Sequence, residues 1–146
     1  MKIGITNDHR GVKQKEILTK YLEEQGYDII DYGTNTEEAV DFPDYAFKLG
    51  DAVISNEVDL GVAICGTGIG MSIALNKMKG IYCAKCCSVS DAIMSKAHND
   101  ANVIAISEDV SEDILYSMVD KFIETPFSNI GRYINRNDKI KEKENA

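Results

Sequence analysis

The stretch LGVAICGTGIGMSIALNKMKG, residues 60 to 80, passes from an unbroken apolar run into a cysteine and then into three glycines spaced two apart. The run ending at Cys65 has the length and β-branched content of a strand buried on both faces. Glycines at 66, 68 and 70 allow a sharp turn closed to other residues, and the spacing predicts a helix over 69 to 78. A buried strand that turns into a helix is half of a βαβ unit, because parallel strands need crossovers to connect them.

The same alternation runs through the chain on both sides. Strands are predicted at 2 to 6 (KIGIT), 27 to 33 (YDIIDYG), 59 to 65 (DLGVAIC), 80 to 86 (GIYCAKC) and 102 to 107 (NVIAIS). Ile17 with Tyr21 and Leu18 with Leu22 form the stripe of an amphipathic helix that ends near Gly26. Ser111 is placed as an N-cap, with Glu112 and Asp113 behind it and the stripe Ile114, Leu115, Met118, Val119, Phe122 following. Further helices are predicted at 42 to 56 and 88 to 98. The expected fold is a doubly wound, Rossmann-like α/β domain: a five-stranded, mostly parallel sheet with helices on both faces. One domain is expected over 1–146, with residues 126–146 as a charged helical tail that packs on a neighbour or on a second subunit.

Composition limits the function. The chain has 146 residues, 44% hydrophobic and 27% charged, with two prolines, so it can bury a sizeable core. A net charge of −8 repels phosphate backbones and anionic lipid surfaces, so neither nucleic acid nor membrane is an expected partner. No apolar run approaches the roughly 18 residues of a spanning helix, and Asp8 and His9 come too early for a signal peptide. A cytoplasmic location is expected. The cysteines at 65, 83, 86 and 87 read as free thiols. Cys83 and Cys86 form a C-x-x-C, but three apart on a strand they point to opposite faces and cannot share a zinc ion.

Ligands of such sheets bind outside the carboxyl ends of the strands. Three features are expected there: NDHRG after the first strand, CGTGIG after the third, and HND at the end of the helix before the fifth. Amides of residues 66 to 70 beside a helix start form an anion site, although a tight turn without a ligand gives the same pattern. A thiol in the position of Cys65 is one that becomes usable as a base or nucleophile, whereas cysteines 83, 86 and 87 lack that setting and are assigned to packing. Both histidines lie beside an aspartate, in DH and HND. Thirteen of the sixteen basic residues are lysine, and two of the three arginines, Arg132 and Arg136, are four apart, so a helix presents both on one face to a phosphate. An acid/base thiol, an oxyanion loop, a histidine and a phosphate grip suit proton abstraction next to a carbonyl, with no metal required.

NDHRG, GYDIIDYGT, VDFPDYA, CGTGIGMSIALNKMKGI and HNDANVIA, in that order and nearly without gaps to about residue 136, resemble type B ribose-5-phosphate isomerase, of the sugar-phosphate isomerase family that includes galactose-6-phosphate isomerase. The resemblance implies interconversion of an aldose phosphate and its ketose through an enediolate, without a metal or organic cofactor. It implies Cys65 as the base between C1 and C2, and His98 as an aid to ring opening. Asp8 would hold sugar hydroxyls, the amides of Gly66, Thr67, Gly68, Ile69 and Gly70 with the Thr67 hydroxyl would hold the enediolate, and Asn99 would add a contact. His9, Arg132 and Arg136 would clamp the phosphate. It also implies a homodimer or tetramer whose sites are shared between subunits.

Four places depart from the family pattern. Arg10 replaces a small residue, Asp109 falls where many members carry an arginine, IGRY replaces GGRH, and CCS at 86 to 88 replaces a polar segment. The alternatives are an isomerase of a six-carbon sugar phosphate, allose 6-phosphate or galactose 6-phosphate, and a phosphate- or nucleotide-binding module without chemistry. The last has no use for Cys65 or His98.

Overall fold

Five strands alternate with helices in the computed structural model, which describes residues 1–146. In chain order the elements are β1 (Lys2–Asn7), α1 (Val12–Glu24), β2 (Asp28–Asp31), α2 (Phe42–Ile54), β3 (Leu60–Cys65), α3 (Ile69–Asn76), β4 (Cys83–Lys85), α4 (Val89–Asn99), β5 (Val103–Ser107), α5 (Glu112–Glu124) and α6 (Gly131–Glu144). All strand pairs are parallel, in the order β2-β1-β3-β5-β4, as the βαβ pattern predicts. β3 is central and buried throughout its six residues.

Alternate residues of the inner strands feed two cores. Val62 and Ile64 join Ile3, Ile5, Ile104 and Ile106 beneath α1, α4 and α5, where Leu18, Leu22, Ala92, Leu115, Met118 and Phe122 close the layer. Ala63 and Cys65 face the other way, with Val103 and Ala105, against Leu49 of α2 and Met71 and Leu75 of α3. Cys65 therefore belongs to the α2/α3 side of the sheet.

Some local expectations shift. β4 is three residues and not seven, because Gly80 takes a left-handed φ of 89° and the side chain of Asn102 replaces the ladder there, accepting from the Tyr82 amide at 2.9 Å. Ser111 stands at the N-cap of α5, but its hydroxyl makes no capping bond. The tail from Gly131 is a helix with no buried residue, lying across the end of α4. Cys83 and Cys86 pack into opposite cores, which rules out a shared metal, and burial pushes each thiol up to about 12. Cys87, expected to pack, is exposed instead and takes a hydrogen bond from Lys85 Nζ at 3.0 Å.

Candidate active site

β3 carries Cys65 to the carboxyl edge of the sheet, where the glycine turn begins. Cys65 is 5% exposed, and its Sγ accepts a hydrogen bond from the Gly68 amide at 3.1 Å. Gly68 makes this possible, because its φ of 80° lies in the left-handed region and a Cβ there would approach the Ile106 carbonyl carbon to 3.1 Å. The turn is thus pressed against β5 and α3 starts beside the sulfur. Gly70 allows a second close approach, since a Cβ would meet the Phe42 ring at 2.8 Å.

Inside the turn, the Ile69 amide donates to Thr67 Oγ1 at 3.1 Å, and Ser107 Oγ donates to the Gly66 carbonyl at 2.8 Å. The amides of Gly66, Thr67, Gly70 and Met71 have no hydrogen-bond acceptor within the chain. Four free donors at a helix start, beside a sulfur that is itself an acceptor, have the geometry to receive a negatively charged oxygen. No three His, Cys, Asp or Glu side chains converge to hold a metal ion.

The end of β1 supplies the opposite wall. The Asp8 amide donates to the Ile64 carbonyl at 3.2 Å, which ties this turn to the last residues of β3. Asp8 is 6% exposed, and its carboxylate accepts from the Arg10 amide at 2.9 Å. His9 Nδ1 accepts from the Val40 amide at 3.1 Å, so the loop before α2 sets the plane of the imidazole. Arg10 reaches across to Glu108 at the end of β5, and the hydrogen bond it donates to that carboxylate is the main cause that raises the guanidinium pKa.

The other predicted residues lie elsewhere. α4 leaves the carboxyl end of β4 and returns the chain to the amino end of the sheet, where Val103 of β5 pairs with Gly61 at the start of β3. His98 and Asn99 close α4, so HND sits at the amino end and not at the mouth beside Cys65 as expected. The physical reason is direction: in a parallel sheet every crossover helix must end where the next strand begins. β3 and β5 run side by side for five residue pairs, about 13 Å from first to last at ~3.3 Å per step, between the two ends.

The amino-end residues form a cluster of their own. The His98 ring stacks on Tyr133 with centroids 4.3 Å apart and planes 18° apart. Arg132 Cζ lies 4.7 Å and Arg136 Cζ 5.8 Å from the centre of the same ring, as the four-residue spacing predicts. Asn99 Nδ2 donates to Asn137 Oδ1 at 3.3 Å. Tyr133 was not singled out from sequence except as a departure from a histidine. Its signal was positional, an aromatic next to Arg132 and three residues before Arg136 on one helix. One chain thus brings Asp8, His9, Cys65, Gly66, Thr67, Gly68, Ile69 and Gly70 together at one end of the sheet. It places His98, Asn99, Arg132 and Arg136 at the other.

The family model described as Ribose/Galactose Isomerase matches residues 3–140. Ribose-5-phosphate isomerase B of Escherichia coli is 39% identical over 140 residues, covering 95% of this chain and 93% of its own. The Clostridium thermocellum ribose-5-phosphate isomerase B structure superposes with a TM-score of 0.95 at 44% identity, over 99% of this chain and 98% of that one. The Mycoplasma genitalium ribose-5-phosphate isomerase B, solved with bound ribulose-5-phosphate, gives 0.93 at 35% identity, over 99% and 96%.

Proposed function

The chain belongs to the ribose/galactose isomerase family, and on that premise we propose that it interconverts ribose 5-phosphate and ribulose 5-phosphate at a centre assembled from two copies of itself. The observation that carries this reading is the Cys65 sulfur held against a turn whose amides lack partners. A base at that point takes the proton from C2 of the open aldose and returns it to C1, while O2 gives up its hydroxyl proton and O1 gains one, so that C2 becomes the ketone and C1 the hydroxymethyl group. The negative charge that builds on oxygen meanwhile falls to the amides of Gly66, Thr67, Gly70 and Met71, with the Thr67 hydroxyl beside them. Asp8 orients sugar hydroxyls, and His9 faces the phosphate.

Ring opening and the remaining phosphate grip need His98, Arg132 and Arg136, which a single chain holds at the wrong end. A two-fold axis beside the open edge of β4 reverses the sheet, so that the amino end of one copy faces the carboxyl end of the other. That edge is suited to pairing, because Ile73, Met94 and Ile140 around it are about half exposed (58%, 47% and 50%). A cavity of about 810 Å³ runs along it between β4 and α6. In such a dimer the partner subunit's His98 moves a proton to or from the ring oxygen, and the partner subunit's Arg132 and Arg136 present two planar forks to the phosphate. Asn99 comes with them as a further contact. No group on this list requires a metal or an organic cofactor, and a cytoplasmic metabolic setting fits a phosphorylated sugar as substrate.

The experiment is a turnover panel of ribose 5-phosphate, allose 6-phosphate and galactose 6-phosphate. The expected result is the highest kcat/KM for ribose 5-phosphate. Preference for a six-carbon substrate reassigns the sugar. Saturable binding with no ketose formed overturns the enzymatic reading.

A further inference from the structure

The mouth around Cys65 is acidic for a site that takes a dianion. Asp8, Glu108 and Asp109 stand at the ends of β1 and β5, while the cations on this chain's side are Arg10 and Lys85, the latter hydrogen-bonded to Cys87. Arg10 leaves the β1 turn and crosses the first glycine of the loop. A Cβ placed on Gly66 would lie 3.8 Å from its Cγ and 3.9 Å from its Cζ and Nη1. Nε and Nη2 are turned to the two oxygens of Glu108, the first at 3.2 Å, which fixes the plane of the guanidinium and leaves the Nη1 donors on the Gly66 side without a partner.

Stability does not account for this pair. The Arg10 side chain is 59% exposed and that of Glu108 18%, so water screens the pair from the arginine side and it adds little beyond its two hydrogen bonds. The β5 turn is already tied to α1 by Gln14 Nε2, which donates to the Glu108 carbonyl at 2.7 Å. A planar, pre-aimed guanidinium over an oxyanion loop is instead the arrangement that receives an anion, because its fork loses little freedom on binding.

We propose that Arg10 is a substrate contact at the rim of this mouth, holding the dianionic sugar phosphate through its free N–H groups, and that Glu108 aims the guanidinium while tempering its grip. The inference rests on the isomerase reading above and adds an affinity-determining residue to it. Removing Arg10 leaves Lys85 as the one cation this chain sets beside Asp8, Glu108 and Asp109, so the phosphate grip falls more heavily on the partner subunit's Arg132 and the partner subunit's Arg136. Neutralising Glu108 does the reverse, since one carboxylate disappears and the fork remains.

The test is steady-state turnover of ribose 5-phosphate together with its calorimetric binding, for the wild type, Arg10→Ala and Glu108→Gln, each at low and raised salt. Arg10→Ala is expected to raise both KM and Kd about tenfold or more, as loss of a charge-assisted contact does, with kcat within about threefold. Its salt dependence flattens, whereas Glu108→Gln lowers KM. A KM and Kd for Arg10→Ala within twofold of wild type overturns the proposal. Glu108→Gln weakening binding as much as Arg10→Ala also overturns it, because the pair is then only a strap. A wild type that binds ribose 5-phosphate without turnover overturns the isomerase reading instead, and Arg10 is then judged by Kd alone.

Discussion

Cys65 and His98 stand at opposite ends of the same sheet, one closing β3 at its carboxyl edge and the other closing α4 where the chain turns back into β5. Under the proposed mechanism these two residues act on one substrate, and they cannot meet inside one chain. One end carries a sulfur and a turn with unpartnered amides, the other a histidine with two arginines.

The sulfur gives the plainest prediction. Cys65→Ala removes the proposed base while leaving Asp8, His9 and the unpartnered amides in place. Isomerisation is expected to be abolished, with binding of ribose 5-phosphate unchanged within a few-fold by calorimetry. Retained turnover moves the base elsewhere.

Arg136→Ala acts on affinity. A lost charge-assisted contact costs about 1.5 to 3 kcal/mol, so KM for ribose 5-phosphate rises at least about tenfold. Titration of the variant with the phosphorylated sugar checks this, and unchanged affinity places the arginine pair on an outer face.

Tyr133 organises the amino-end cluster chiefly through its ring: His98 stacks on its face and both guanidinium groups lie over it, while its hydroxyl accepts a single long hydrogen bond, from Arg132 Nη2 at 3.3 Å. Tyr133→Leu is expected to lower kcat/KM several-fold, in line with the ~0.5–1.5 kcal/mol of an aromatic pair. Tyr133→Phe keeps the stack and stays near wild type. Equal losses in the two variants transfer the role to the hydroxyl.

The buried thiols set a pH dependence. Desolvation raises Cys83 and Cys86 from 9.0 to about 12 in the folded chain, so both stay neutral where an unfolded chain ionises them. The stability they contribute is complete below pH 9 and is lost as pH rises from there toward 12. Near neutral pH, alkylation mapped by mass spectrometry is expected to be slower by roughly a thousandfold at both positions than in the unfolded chain, since the thiolate fraction falls by that factor. Similar rates in the folded and unfolded chains contradict the burial argument.

The fold was legible because its signals are local. The run ending at Cys65, its glycine turn and the i, i+4 stripes each report on a few neighbouring residues, and five such units imply a parallel sheet. The HND motif does not itself reveal the direction of travel. Histidine beside aspartate is the composition of a mouth, but here it closes a crossover helix, which must finish at the amino edge. Contacts between distant segments were out of reach, as Arg10 with Glu108 and His98 with Tyr133 show. Cys87 escaped its assignment to packing because β4 stops after three residues and leaves position 87 in the turn before α4.

A site divided between two copies is tested most directly by mixing inactive chains. Cys65→Ala supplies an intact amino-end cluster, and a chain carrying both His98→Ala and Arg136→Ala supplies an intact sulfur and loop. After co-refolding in equal amounts, half of the dimers are hybrids with one complete site each, and about a quarter of wild-type activity toward ribose 5-phosphate is expected to return. Hybrids that form, as shown by native mass spectrometry, yet remain as inactive as their parents would contradict the shared centre.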